Sequence, residues 1–144
     1  MENTFELEAF LPYRLSVLSA RVSRAFSTHY RERFGFSNAE WRVLAHLGAA
    51  GAVSVRDIHE RADLEKSRAS RAAARLETAG LLEKHVDERD RRLVSLSLTA
   101  SGAAALAEIA PFARAYEAAL LARLDEADRA ALDRILTRLS EAED

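Results

Sequence analysis

Apolar residues recur at steps of three and four through Leu11, Leu15, Leu18, Val22, Ala25 and Phe26. That spacing is one face of an α-helix. It predicts a long amphipathic helix that begins near Pro12, whose fixed φ and missing N–H suit a first turn. The helix should run to about Tyr30 or Phe34, and Gly35 is a natural stop. Ser37-Asn38-Ala39-Glu40 has the form of a capping box, with serine and glutamate satisfying each other's end of a helix start. The helix it opens carries Trp41, Val43, Leu44 and Leu47 and ends near Gly48 to Gly51. Ser54 to Asp57 repeats the cap and opens a short helix, Val55 to about Arg61, with Val55 and Ile58 turned inward. Residues 62–65 make a tight turn. Ala69, Ala72, Ala73 and Leu76 then define the apolar face of a helix over Lys66 to Ala79, with Gly80 as its C-cap.

The period changes after Gly80. Leu81 to Val86 reads as a strand, and Val94-Ser95-Leu96-Ser97-Leu98 alternates apolar and small polar residues. Joined by the charged loop 87–92, the two strands predict a β-hairpin that projects as a wing. Thr99 caps a helix from Ala100 to about Leu121, bent at Pro111. Asp125 with Asp128 starts a last helix whose buried stripe is Leu132, Ile135, Leu136 and Leu139.

A chain of 144 residues is expected to form one domain, and helix dominates it. There are no cysteines, which removes disulfides, thiolate metal sites and cysteine redox sensing. His29, His46, His59 and His85 are dispersed, so no metal site and no cofactor is expected. Met1 to Phe10 lacks the charged start and apolar core of a signal peptide, and no apolar run approaches the roughly 20 residues that cross a bilayer. A soluble, cytoplasmic protein without membrane partners is expected.

The net charge of −2 argues against a nucleic-acid partner until its distribution is considered. Residues 1–54 and 55–92 each carry net +1, and residues 93–144 carry net −4. Within the middle block, 66–75 holds four basic side chains and no acid, and 89–92 holds three basic side chains and one acid. Positive charge is confined to one helix face and one loop.

A helix about 10–12 Å across fits a major groove about 12 Å wide. Ser67, Ala69 and Ser70 are small, so Arg68 and Arg71 can extend past them. Ser67, Arg68, Ser70 and Arg71 are expected to reach bases or nearby phosphates, and Lys66 and Arg75 to hold the backbone. Arg89, Arg91 and Arg92 sit on the wing, where an arginine can enter the minor groove. Arg92 is the expected inserted residue, held by Asp90, with Asp87 also orienting an arginine through a charge-assisted hydrogen bond. No phosphate loop, Ser–His–acid set or paired carboxylates appear at productive spacing, so an enzyme is not expected. The bland alternatives are a solvated helix face and a solubilising hairpin.

Several of these segments carry a family resemblance. Asp87…Asp90-Arg91-Arg92, followed by a strand and Leu98-Thr99-Ala100-Ser101-Gly102, resembles the wing motif of the MarR family of winged-helix transcription regulators. Lys66-Ser67-Arg68-Ala69-Ser70-Arg71 and Arg75-Leu76-Glu77-Thr78-Ala79-Gly80-Leu81-Leu82 are similar to its recognition helix and wing entry, and Glu40-Trp41-Arg42-Val43-Leu44 to the start of its second helix. The resemblance implies a mainly α fold, with a winged helix-turn-helix DNA-binding lobe at 37–98 and dimerisation helices at 1–34 and 100–144. It implies a homodimer on a pseudo-palindromic duplex operator, with a repressor role relieved by a small aromatic or phenolic effector. Tyr13, Arg14, Trp41 and His46 are the candidate effector pocket. The competing reading is a winged-helix protein-interaction module without DNA binding, suggested by Glu65, Glu83, Asp87 and Glu88 beside the basic surface.

Overall fold

The computed structural model describes residues 4–141. A single 3-10 turn at Leu7–Ala9 precedes α1, Leu11–Phe34. Pro12 lies in the first turn of α1, and Gly35 ends it in the left-handed conformation. Helix α2, Asn38–Ala50, opens on the expected capping box: Ser37 Oγ accepts from the Glu40 N–H at 3.3 Å, and the Glu40 carboxylate accepts from the Ser37 N–H. Strand β1, Ala52–Ser54, leads directly into α3, Val55–Arg61, capped by Ser54. Helix α4, Lys66–Thr78, is followed by β2, Leu82–Val86, and β3, Val94–Leu98. Helix α5 spans Ala100–Leu121 with Pro111 inside it, and α6 spans Glu126–Ser140 with Asp125 capping the Asp128 N–H. The chain packs into two compact units, one ending at Ile109 and the other beginning at Ala110, inside α5.

Strand β1 extends the expected hairpin to three strands in the order β1-β3-β2. It pairs antiparallel with β3, Val53 opposite Leu96. Three residues are too few to show a period, and Ser54 is at once the strand's end and the next helix's cap. Val53 and Leu96 are both buried, which ties the base of the wing to the helices.

The core of the first unit joins Val43, Leu44 and Leu47 of α2 to Ile58 of α3, the Ala69-Ala72-Ala73-Leu76 face of α4, and Leu82 and Leu96 of the sheet. Alanines on α4 let it approach α2 closely. Two expectations fail. Val55 is exposed, because it occupies the first position of a short helix and only Ile58 on α3 turns inward. Leu132, Ile135, Leu136 and Leu139 are not buried: they are 37–58% exposed, and no described residue of α6 is buried. Leu11, Leu15 and Leu18 of α1 are likewise exposed. Periodicity finds the apolar side of a helix but not what covers it.

Two glycines at the wing base meet different demands, one of backbone conformation and one of packing. Gly80 takes φ +78°, and the Gly80 N–H to Glu77 and Leu81 N–H to Leu76 bonds close α4 in a Schellman turn. Gly102 faces the Leu81 carbonyl so closely that an added Cβ would run into its oxygen. Gly102→Ala is therefore expected to destabilise the protein by about 1–3 kcal/mol. Urea unfolding that returns the parental midpoint for this variant would contradict the packing.

Candidate nucleic-acid interface

The buried face of α4 fixes where its polar side chains go. With Ala69, Ala72, Ala73 and Leu76 inward, the 100° step places Ser67 and Arg71 on the far side. Lys66 and Ser70 lie on the flank toward α3 and the sheet, where they line a small cavity with Val55, His59 and Lys84. Arg68 and Arg75 lie on the other flank, toward α2. All six polar residues Lys66, Ser67, Arg68, Ser70, Arg71 and Arg75 are exposed.

Arg75 is not free in this structure. Its guanidinium is 3.4 Å from Glu40 Oε1, and the Glu40 side chain is only 8% exposed. Burial opposes ionisation of Glu40, but hydrogen bonds from Ser37 and Arg75 outweigh it, and the pKa is lowered. One carboxylate thus closes the capping box of α2 and anchors α4. Arg42 adds a second anchor: its guanidinium donates to the carbonyls of Ala62 and Asp63, at 3.4 and 3.2 Å, in the turn before α4. Asp63 holds φ +52° in that turn. The signal for Glu40 was present in its capping box, but its reach to Arg75, 35 residues away, left no local pattern. Arg42 had no sequence signal.

The wing tip is ordered by its two aspartates in different ways. Asp90 grips Arg92 at two points, Oδ1 to Nε at 3.1 Å and Oδ2 to Nη2 at 3.2 Å, and also accepts the Arg92 N–H. Bonding to Arg92 lowers the Asp90 pKa, with Arg56 adding a weaker contribution. The Arg92 side chain is 85% exposed, so it is held yet presented to solvent. Asp87 holds no arginine side chain. Its Oδ1 accepts the N–H groups of Arg89 and Asp90 at 2.7 and 2.9 Å, which folds the loop itself. Arg89 and Arg91 are exposed on the same loop.

The proposed effector residues separate into two groups. Trp41, half-buried, stacks on Tyr30 at 5.7 Å and meets Phe26 edge-on at 5.3 Å. His46 lies further along α2 and is half-buried. Tyr13 and Arg14 sit on the exposed first turns of α1. Seventeen residues separate Tyr13 from Tyr30 on that helix, a rise of about 25 Å. One chain therefore does not bring Tyr13 and Arg14 to Trp41.

Comparison with known proteins gives a consistent result. A model described as MarR family matches residues 34–93. The HTH-type transcriptional repressor MdtR of Bacillus subtilis (strain 168) is 32% identical over 111 residues, 77% of this chain and 72% of that protein. The structure of Bordetella bronchiseptica BpsR, described with regulation of its DNA binding by 6-hydroxynicotinic acid, is 25% identical. It superposes with a TM-score of 0.86 over 98% of this chain and 100% of that one. The MarR family transcriptional regulator SPO1453 from Silicibacter pomeroyi DSS-3 is 30% identical, with a TM-score of 0.80 over 95% of this chain and 100% of that one. This chain belongs to the MarR family of transcriptional regulators, and its fold is that family's winged helix. These relatives are transcriptional regulators, not enzymes. Among the described residues no helix is long and apolar enough to cross a membrane.

A lowered carboxylate pKa stabilises the fold above its ordinary value of 4.5 and loses that contribution as pH falls through the folded value. Glu40→Gln is expected to cost about 1–2 kcal/mol at neutral pH. The gap from the parent should narrow as the solution is acidified below about pH 4.5. Urea unfolding of both proteins across that range checks this. A gap that stays constant into acid would contradict the assigned role of the Glu40 charge.

Proposed function

We propose that the protein is a homodimeric, sequence-specific DNA-binding repressor whose grip on a pseudo-palindromic operator is relieved by a small aromatic ligand. The observation that carries this reading is the pairing of two surfaces. One is the exposed face of α4 over 66–75, which carries four basic side chains and no acid. The other is a wing tip whose Arg92 is fixed by Asp90 and still open to solvent. In this reading Ser67 and Arg71 face the major groove, with Arg68 and Ser70 reaching its edges. Lys66 and Arg75 hold the phosphate backbone. Arg92 enters the minor groove, with Arg89 and Arg91 on phosphates. Arg75 exchanges its exposed contact with Glu40 for phosphate.

Dimerisation is supported by the apolar residues left exposed on α1 and α6. Exposed stripes of that length are a partner's surface more often than a solvent surface, and a second copy offers the same stripes in return. The effector reading is supported by the BpsR comparison and by the aromatic cluster around Trp41. The buried Tyr30 hydroxyl lies beside it, with the Asn38 side chain near it and no partner at hydrogen-bond geometry among the described residues. His46 lies five residues beyond Trp41 on α2 and is half-buried. Tyr13 and Arg14 can join this pocket only from the second subunit, because their own α1 carries them about 25 Å away. The repressor sense is supported by the relative MdtR.

Duplex binding measured against salt tests the proposal. If each protomer neutralises about four or five phosphates, the log–log slope should lie near −7 to −9. Arg92→Ala and Arg71→Ala should each cost about 1–3 kcal/mol of affinity, roughly five- to a hundredfold, and Arg71→Ala should also relax base preference. A flat salt response, or both variants binding like the parent, would refute the contact assignment.

A further inference from the structure

Beside α4 lies an open groove of about 280 Å³ that no local pattern along the chain announces. Its walls are Ser23, Arg24, Ser27 and Arg31 of α1, Asn38 at the first turn of α2, and Arg68 of α4. Three guanidinium-bearing residues from two helices thus meet in one groove, and no acidic side chain lines it. Arg24, Ser27 and Arg31 share a face of α1 because their spacing is i, i+3, i+7. Ser27 is buried and turns its hydroxyl back onto the Arg24 carbonyl at 2.8 Å, so its proton is already committed within α1. None of the three arginines enters an ion pair among the described residues.

We infer that Arg24 and Arg31, together with Arg68, form an oxyanion groove that takes a DNA backbone phosphate next to the bases read by α4. The inference rests on the DNA-binding reading and extends it to a helix, α1, that otherwise serves the dimer. Three features favour this occupant. Convergent guanidinium groups without an opposing carboxylate are an anion site, and arginine's fork matches phosphate oxygens. The N-terminus of α2 adds its positive dipole end at Asn38. The groove is open rather than enclosed, so it suits a phosphate carried on a polymer passing across it. Arg68 belongs to both this groove and the flank of α4, which makes the groove continuous with the face that meets the bases.

The test is the salt dependence of duplex binding by Arg24→Ala/Arg31→Ala in the full chain. Loss of one phosphate contact per protomer should make the slope shallower by about 1.8 and weaken binding roughly ten- to thirtyfold at about 0.15 M salt. Base preference should be unchanged, because a phosphate contact carries no sequence information. Arg24→Lys/Arg31→Lys should keep most of the slope. Removing two charges elsewhere, as Arg134→Ala/Arg138→Ala on α6, should not reproduce the change, with the parental oligomeric mass of this control established by light scattering. If it does, net charge rather than the groove is responsible and the inference falls. Equal slopes and affinities for the parent and Arg24→Ala/Arg31→Ala, with the parent binding duplex, overturn the groove alone. A parent that binds no duplex at low salt overturns the regulator reading and the groove with it. The remaining source of the same chemistry is a free oxyanion. If inorganic phosphate raises the parent's melting temperature, Arg24→Ala/Arg31→Ala abolishes that rise, and duplex binding is unaffected, the DNA assignment is wrong. Both alanine positions are exposed on α1, and a parental melting curve for the variant establishes that its fold is intact.

Discussion

The relation between α4 and the wing depends on the hydrogen bonds of one residue, Thr99. Its hydroxyl donates to the Gly80 carbonyl at 2.6 Å and accepts from the Gly102 N–H at 3.1 Å, while its own N–H donates to the Leu81 carbonyl at 3.1 Å. Those contacts join the exit of α4, the entry to β2, the end of β3 and the start of α5 within one small region. Gly102 permits it, since no other residue leaves room for the Leu81 carbonyl. The wing is a two-stranded extension that would be marginal alone. Clamped at its base, and paired on its other side by β1, it projects from α4 at a set position. Two cationic surfaces at a fixed separation can match two grooves of a duplex at once. At a variable separation, ordering them would cost conformational entropy with every binding event.

Three acids near the cationic surfaces are tied up in structural contacts. A protein of net charge −2 meets a polyanion only if its carboxylates are distant or occupied. Asp90 is occupied by Arg92, Asp87 by the loop's own N–H groups, and Glu40 by its capping box and Arg75. In each case the negative charge is spent on geometry: a guanidinium held in one pose, a loop folded, a helix anchored. Residues 93–144 carry the remaining excess of acid.

Much of this was legible along the chain because the relevant signals are local. The capping box at Ser37, the i, i+3, i+4, i+7 alanine face of α4 and the alternation from Val94 to Leu98 each span a few residues, and each element appears close to where the pattern put it. The Asp90–Arg92 grip spans two residues and was legible for the same reason. What escaped the sequence is set by contacts between distant segments. Strand β1 exists because β3 offers Val53 a buried partner at Leu96. Glu40 meets Arg75, and Arg42 meets Ala62 and Asp63, only after three helices have packed. The stripe on α6 marks that helix's apolar face, but its four residues are exposed in this structure, because periodicity carries no information about what packs on a face. The separation of Tyr13 from Trp41 follows from the length of α1, which periodicity gives, and from the site where Trp41 docks, which it does not.

A single experiment bears on the central claim that two fixed cationic surfaces, duplicated by twofold pairing, read one duplex. Selection of preferred sequences from a random pool of duplex DNA by the full chain reports binding, symmetry and spacing together. The account predicts enrichment of an inverted repeat whose half-sites are centred about 10 base pairs apart, one helical turn, with A·T-rich flanks where an inserted arginine finds a narrow minor groove. No enrichment over the starting pool, or enrichment of a lone, unrepeated half-site, would contradict it.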